Sequence, residues 1–320
     1  LFHVAGFILI SGYLFNGACM NFWTHLCKRL RSLWVPYVGY QLIYLCFYNI
    51  MIRIGIYAVP AITSLKDYAV RFINILLLGS ASGDMAGAMW FIALLFEVSL
   101  LYALIHILTS RLKYGEWIKG IIVFCLFVGG YLLLKFGYQL PRYADTTLLV
   151  LPVYYIGTLY RKYEHKVPIH IGLFLLSVVA LLVLNQFGSV SLSDKNITNP
   201  VFFLVVTIAG TYAVIYLSWQ LSKFSAGKIF EYIGKFTFDI MALHFLAFKL
   251  VSFVFIVVCG LSMKYLSSFP TIENSGWLWI AYTVVGIALP VGIKALFVFL
   301  TTPIRNRIHP LRLLKGGDKS

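Results

Sequence analysis

Charge is what this chain has least of. Only 12% of its 320 residues are charged, and 11 acidic residues stand against 26 basic ones. A water-soluble domain carries about 25% charged residues, so there is too little polar surface here to coat a sphere in water. Cysteine is also sparse. The five residues Cys19, Cys27, Cys46, Cys125 and Cys259 show no metal-ligand spacing, and most lie in or beside apolar runs. Free cysteine there behaves as a small hydrophobe, so no metal site is expected and little is said about redox compartment. No soluble domain, fixed-period repeat or low-complexity tract interrupts the chain. It opens at Leu1 inside an apolar run, with no Met and no basic flank, which does not read as a signal peptide. The formal charge of +15 does not indicate a nucleic-acid partner, because the basic residues sit between apolar runs and not on one domain.

What is present is oil. The chain is 61% hydrophobic with a mean hydropathy of +0.88. Apolar runs near twenty residues recur, each long enough to cross a hydrocarbon core of about 30 Å. A spanning backbone must satisfy its own hydrogen bonds, which leaves helices or closed barrels, and these runs are too long for barrel strands. The expected fold is all-α, a polytopic transmembrane helical bundle. About nine spans are predicted, at 1–15, 33–59, 88–109, 120–136, 147–159, 168–187, 201–220, 236–261 and 277–301. Residues 65–78 are apolar with Lys66, Asp67 and Arg71 at one end, which suits an interfacial or re-entrant helix. Alternate connections split the Lys and Arg residues seventeen to six. The positive-inside rule then puts the C-terminus in the cytoplasm and Leu1 outside, in the cell membrane. An outer-side start predicts one further helix ahead of Leu1, ten in the full-length protein. Residues 1–303 read as the membrane domain and 304–320 as a basic cytoplasmic tail.

A charge near the bilayer centre costs about 2.5–3.5 kcal/mol on insertion scales, so it needs a partner or a task. The candidates are His3, Arg53, Glu97, His106, Asp239, His244, Lys249 and Lys294. Arg53, His106 and Lys294 sit toward span ends, where snorkelling or interhelical hydrogen bonds suffice. His3, Glu97 and His244 are the functional candidates, since histidine mid-span is a natural general base. Asp239, His244 and Lys249 share one span but lie about 140° apart in turn, so they form no single stripe. The segment from His25 to Arg31 clusters Lys28, Arg29 and Arg31 at the mouth of a span. It is either topogenic or a seat for an anionic ligand such as a nucleotide phosphate. The small-residue loop 79–87 permits close approach to a ligand, or merely a tight turn. Asn196-Ile-Thr198 matches a glycosylation sequon, a triplet common by chance.

Five segments in order resemble one family. Leu1-Phe-His-Val-Ala-Gly-Phe-Ile-Leu-Ile-Ser-Gly-Tyr-Leu-Phe15 is similar to the "FH…F…ISGY" signature of the acyltransferase 3 integral-membrane proteins, with Ala5 where the family usually has proline. Lys28-Arg-Leu-Arg-Ser-Leu-Trp-Val-Pro-Tyr37 resembles their basic segment before a Pro-Tyr pair. Met89-Trp-Phe-Ile92, Leu151-Pro-Val-Tyr-Tyr-Ile-Gly157 and Ile233-Gly-Lys-Phe-Thr-Phe-Asp-Ile-Met-Ala-Leu-His244 follow. The nearest branch resembles fucose 4-O-acetylase, among the sugar O-acetyltransferases.

The resemblance implies ten helices and a transferase that moves an acyl group, usually acetyl from acetyl-CoA, to a hydroxyl of a surface glycan or lipid-linked sugar. On that reading His3 and His244 are catalytic and Glu97 orients an imidazole. Ser11, Trp90 and Asp239 shape the acceptor site, while Lys28, Arg29 and Arg31 meet the CoA phosphates. The expected partners are membrane lipid and the glycan acceptor. The family's best-supported catalytic histidine follows a basic residue by eleven places on its first helix. The residues eleven places before the eligible histidines are Leu14, Leu95, Tyr154, Leu159, Ile233 and Val298, none basic. This again predicts a helix ahead of Leu1 that carries the main base, without which the chain would be inactive. The competing expectation is a transporter or flippase for a polysaccharide or lipid precursor, with the buried charges as its path. It would need two related halves with interrupted helices, and no such symmetry is visible. A non-catalytic scaffold does not account for the polar interior.

Overall fold

The computed structural model describes residues 2–17, 21–79, 83–197, 199–273 and 276–314, with side chains to residue 301. Cys19, Ser80 to Ser82 of the small-residue loop, Thr198 of the sequon and residues 315–320 of the tail lie outside the described residues. The helices are α1 (His3–Tyr13), α2 (Phe22–Arg29), α3 (Val35–Arg53), α4 (Leu65–Leu76), α5 (Trp90–Ser110), α6 (Gly115–Lys135) and α7 (Ala144–Tyr163). They continue with α8 (Ile171–Leu184), α9 (Pro200–Leu221), α10 (Gly227–Gly234), α11 (Thr237–Cys259) and α12 (Leu278–Leu314). Two short strands, β1 (Val190–Ser191) and β2 (Asn196–Ile197), pair antiparallel between α8 and α9.

The chain is an α-helical, multi-pass membrane protein. Among the described residues six helical stretches are long and apolar enough to cross a bilayer: Phe22–Arg53, Asp84–Ser110, Gly115–Lys135, Pro200–Leu221, Thr237–Cys259 and Leu278–Thr301. Each of the nine expected spans contains a helix, but three fall short of this standard. α1 and α8 have 11 and 14 residues, against about 20 for a span. α7 is long enough but is diluted by Asp145, Thr146, Thr147, Arg161 and Lys162. The helix predicted over 65–78 is α4. α12 runs unbroken to Leu314, beyond the expected start of the tail at 304.

One boundary needs correction. Residues 25–31, expected as a loop ahead of a span starting at 33, are helical. The Asn21 side chain accepts a hydrogen bond from the Trp23 N–H at 2.9 Å and starts α2 eleven residues earlier than predicted. A π-turn over Leu30–Trp34 then carries the helix into α3. Pro36 explains the turn, since a proline cannot donate to the preceding ladder and a π-bulge absorbs the mismatch.

The helices group into two compact units. The first comprises Leu1–Gln41, Ile73–Ser80 and Met89–Gly227. At its centre α1, α5 and α7 run side by side in one direction. Phe7 meets Phe91 at 5.9 Å and Phe15 meets Tyr102 at 5.0 Å, ring centre to ring centre. The Thr147 hydroxyl donates to Glu97 at 3.0 Å, and the Tyr102 and Thr158 hydroxyls lie 2.9 Å apart. α1 and α7 touch backbone to backbone at two glycines. A Cβ on Gly12 would overlap the Tyr154 carbonyl, and one on Gly157 would overlap the Leu9 carbonyl. Small residues let membrane helices approach this closely. Gly157→Ala is therefore expected to destabilise the unit by at least about 1–3 kcal/mol. A thermal scan in detergent should show a lowered midpoint, and an unchanged midpoint would mean that the crossing yields freely.

The second unit comprises Leu42–Phe72, Ala81–Ala88 and Lys228–Ser320. α11 packs on α12 through a hydrogen bond between Ser252 and Tyr282 at 2.9 Å and an Asp239–Lys294 ion pair at 3.0 Å. The Tyr44 hydroxyl donates to the Ala242 carbonyl at 2.7 Å, tying α3 to α11. Lys249 is buried, and its ammonium donates to the carbonyls of Leu266 and Ser268. That contact anchors the segment after α11.

Candidate functional site

The residues singled out in the sequence fall at three places in the two units. The first is the end of the first unit where α5 and α7 begin. Glu97 accepts from Thr147 there, and Trp90 lies 6.0 Å from the Tyr143 ring. Burial and the nearby Glu97 charge push the Tyr143 hydroxyl above its ordinary range, so it stays protonated. Beside it, buried Asp145 is neutralised by Lys195 at 2.6 Å. His3 opens α1 and is exposed.

The second place lies at the opposite end of the same helices, about 13 Å along α5 from Glu97 at 1.5 Å per residue. Phe15 is buried there among four rings: His25, Tyr102, His106 and Tyr154, with centroid distances of 5.6, 5.0, 5.3 and 6.1 Å. Tyr154, fully buried, receives a hydrogen bond from Arg29 Nη2 at 3.2 Å, and the Ser11 hydroxyl also interacts with it. Ser11 thus sits with Tyr154 at this end, whereas Trp90 is at the other.

α2 supplies two different faces to this end. His25 and Arg29, one turn apart, point inward, and their Nε2 and Nε atoms are buried with no hydrogen-bond partner among the described residues. Lys28 and Arg31, three residues apart on the same helical path, point the other way. With Trp23, Thr24, Cys27 and Ser32 they line an open cavity of about 640 Å³. The three expected phosphate ligands are thereby divided. Lys28 and Arg31 share the cavity, and Arg29 serves Tyr154. His25 was missed in the sequence. Its spacing of four residues from Arg29 was the available signal, hidden because the segment read as a loop.

A second open cavity, about 650 Å³, is lined by Gly17, Asn21, Phe22, His106, Ile107, Ser110 and Arg111. His106 Nε2 lies 3.2 Å from the Gly17 carbonyl.

The third place is in the second unit. The His244 Nδ1 lies 3.0 Å from the Ile240 carbonyl and 3.1 Å from that of Met241. Nδ1 therefore carries the proton, and the lone pair is left on Nε2. Phe245 and Phe248 flank the ring at 4.1 and 5.4 Å. Asp239, expected in the acceptor site, is paired with Lys294. No group of three or more His, Cys, Asp or Glu able to hold a metal occurs among the described residues.

In comparisons with known proteins, the family model described as an acyltransferase domain matches residues 1–295. No curated protein and no solved structure matches the chain.

Proposed function

The chain belongs to the acyltransferase 3 family of integral-membrane acyltransferases, and on that premise we propose that it moves an acetyl group from acetyl-CoA to a hydroxyl of a cell-surface glycan or lipid-linked sugar. One observation carries the reading of the donor. Lys28 and Arg31 point into one open cavity, with no acidic residue among the described residues that line it. Its volume of about 640 Å³ is within the range of about 300–1,000 Å³ usual for small-molecule sites. Two cations on one wall fit the phosphates of a coenzyme A. The excess of basic residues in the same set of loops supports a cytoplasmic side for this cavity, where acyl-CoA is made.

The chemistry needs a base for the acceptor hydroxyl. His244 is the proposed base, because Nδ1 is fixed by two carbonyls and Nε2 is left to take a proton. The acceptor oxygen attacks the thioester carbonyl, the C–S bond breaks, and coenzyme A leaves as a thiol once it regains a proton. His3 is the second candidate for the base. Glu97, with Trp90 beside Tyr143, is proposed to line the acceptor's path from the outer side.

Cys27 offers a test of the donor cavity that does not depend on turnover. It is an exposed free thiol on the same wall as Lys28 and Arg31. Saturating acetyl-CoA is expected to slow its alkylation by a maleimide at least about tenfold, as read by peptide mass spectrometry. Exposed Cys259, at the end of α11, provides the unprotected control. Equal rates at Cys27 with and without acetyl-CoA would remove the cavity from the proposal. Acceptor-dependent thiol release from acetyl-CoA by purified membranes separates a transferase from a transporter.

A further inference from the structure

We infer that the groove between α6 and α7 is a binding site for an anionic phospholipid, with the acyl chain along Ile121 and Phe124 and the phosphate between Lys162 and Lys166. The groove measures about 480 Å³, and its walls are Trp117, Ile121 and Phe124 from α6 and Tyr155, Leu159 and Tyr163 from α7. On the α6 side it faces outward: Trp117, Ile121 and Phe124 are 78%, 61% and 64% exposed. In a membrane-spanning helix that surface meets hydrocarbon, so the occupant is a lipid.

The charges at one end of the groove select which lipid. α6 begins and α7 ends there. Among residues 161–166 the charges divide between two directions. Arg161 donates to the Tyr13 and Phe15 carbonyls, and Glu164 accepts from the Tyr13 hydroxyl at 2.6 Å, so both serve α1. Lys162 and Lys166 turn the other way, with their ammonium groups 5.5 and 5.4 Å from the centre of the Tyr163 ring. Glu116, the acid on the groove wall, is neutralised by Lys119 at 2.7 Å. Lys162, which also feels the Glu116 charge, and Lys166 form no ion pair among the described residues, so two cations around one aromatic ring mark the mouth. From Trp117 to Phe124 the helix then offers about 10 Å of apolar wall at 1.5 Å per residue. A head with one negative charge and a tail of hydrocarbon matches this order, and a zwitterionic head gains less from the two lysines. The site is separate from the proposed donor cavity and does not depend on the reaction.

The test uses the protein in nanodiscs with a photoreactive phosphatidylglycerol, and in parallel a photoreactive phosphatidylcholine with the same chains. Phosphatidylglycerol is expected to label peptides covering 117–124 and 155–163 at least about fivefold more strongly, the scale set by one basic residue near an anionic head. Lys162→Gln with Lys166→Gln should lower that labelling to the phosphatidylcholine level. Both lysines are exposed, so folding is not at stake. Trp117→Ala, which opens the wall, should weaken labelling by both lipids. Equal labelling by the two lipids, a preference that survives the double substitution, or displacement by millimolar inorganic phosphate would each overturn the proposal.

Discussion

A His244→Ala variant assayed in membranes is expected to lose about 10²–10⁴-fold in turnover, the usual worth of a general base, with little change in the KM for acetyl-CoA. The expectation rests on how the ring is held. Two backbone carbonyls of its own helix fix Nδ1, and Phe245 and Phe248 restrict the ring plane. Only Nε2 can then meet a substrate. No carboxylate is needed to set this tautomer, and Asp239, five residues earlier, is engaged with Lys294. Lys294→Ala is thus a control that breaks the ion pair between α11 and α12 without touching the base. It should lower stability more than turnover. Imidazole added to the alanine variant should restore part of the rate if the missing group is a proton acceptor, and none if the ring only packs. Wild-type turnover in His244→Ala, with loss in His3→Ala, would move the base to α1.

The helices were legible because oil leaves few options. A run of twenty apolar residues must be helical to satisfy its backbone, and α5, α6, α9 and α11 lie close to where composition put them. Misreadings came where polarity and helix coexist. Residues 25–31 hold four basic side chains and so read as a loop, yet Asn21 caps them into α2 and the π-turn joins them to α3. That error concealed the inward pair His25 and Arg29, and it grouped Arg29 with Lys28 and Arg31, from which the helical rotation separates it. Partners distant in sequence were also beyond reach. Asp239 and Lys294 were each noticed, but nothing local says that they meet. The glycines of the "ISGY" and "PVYYIG" segments were visible as pattern. Their physical reason, α1 and α7 crossing with no room for a Cβ, belongs to the packing.

Reversing both charges in the donor cavity, Lys28→Glu with Arg31→Glu, should raise the KM for acetyl-CoA by about 10²-fold or more. A charge-assisted contact is worth about 1.5–3 kcal/mol, and two contacts are lost and replaced by repulsion, though such effects seldom add fully. Turnover at saturating donor should hold within a few-fold, since contacts that bind ground state and transition state alike change KM alone. Salt provides an independent check. The wild-type KM should rise with ionic strength as phosphate contacts are screened, and the double variant should show a flat or inverted dependence. Arg29→Ala must behave differently, because its guanidinium donates to the buried Tyr154 hydroxyl and does not line the cavity of Lys28 and Arg31. It should lower the unfolding midpoint and leave the KM for acetyl-CoA near wild type. If Arg29→Ala raised that KM as much as the double reversal did, all three basic residues would be acting as one cluster, and the division of α2 into a donor face and an inward face would be wrong.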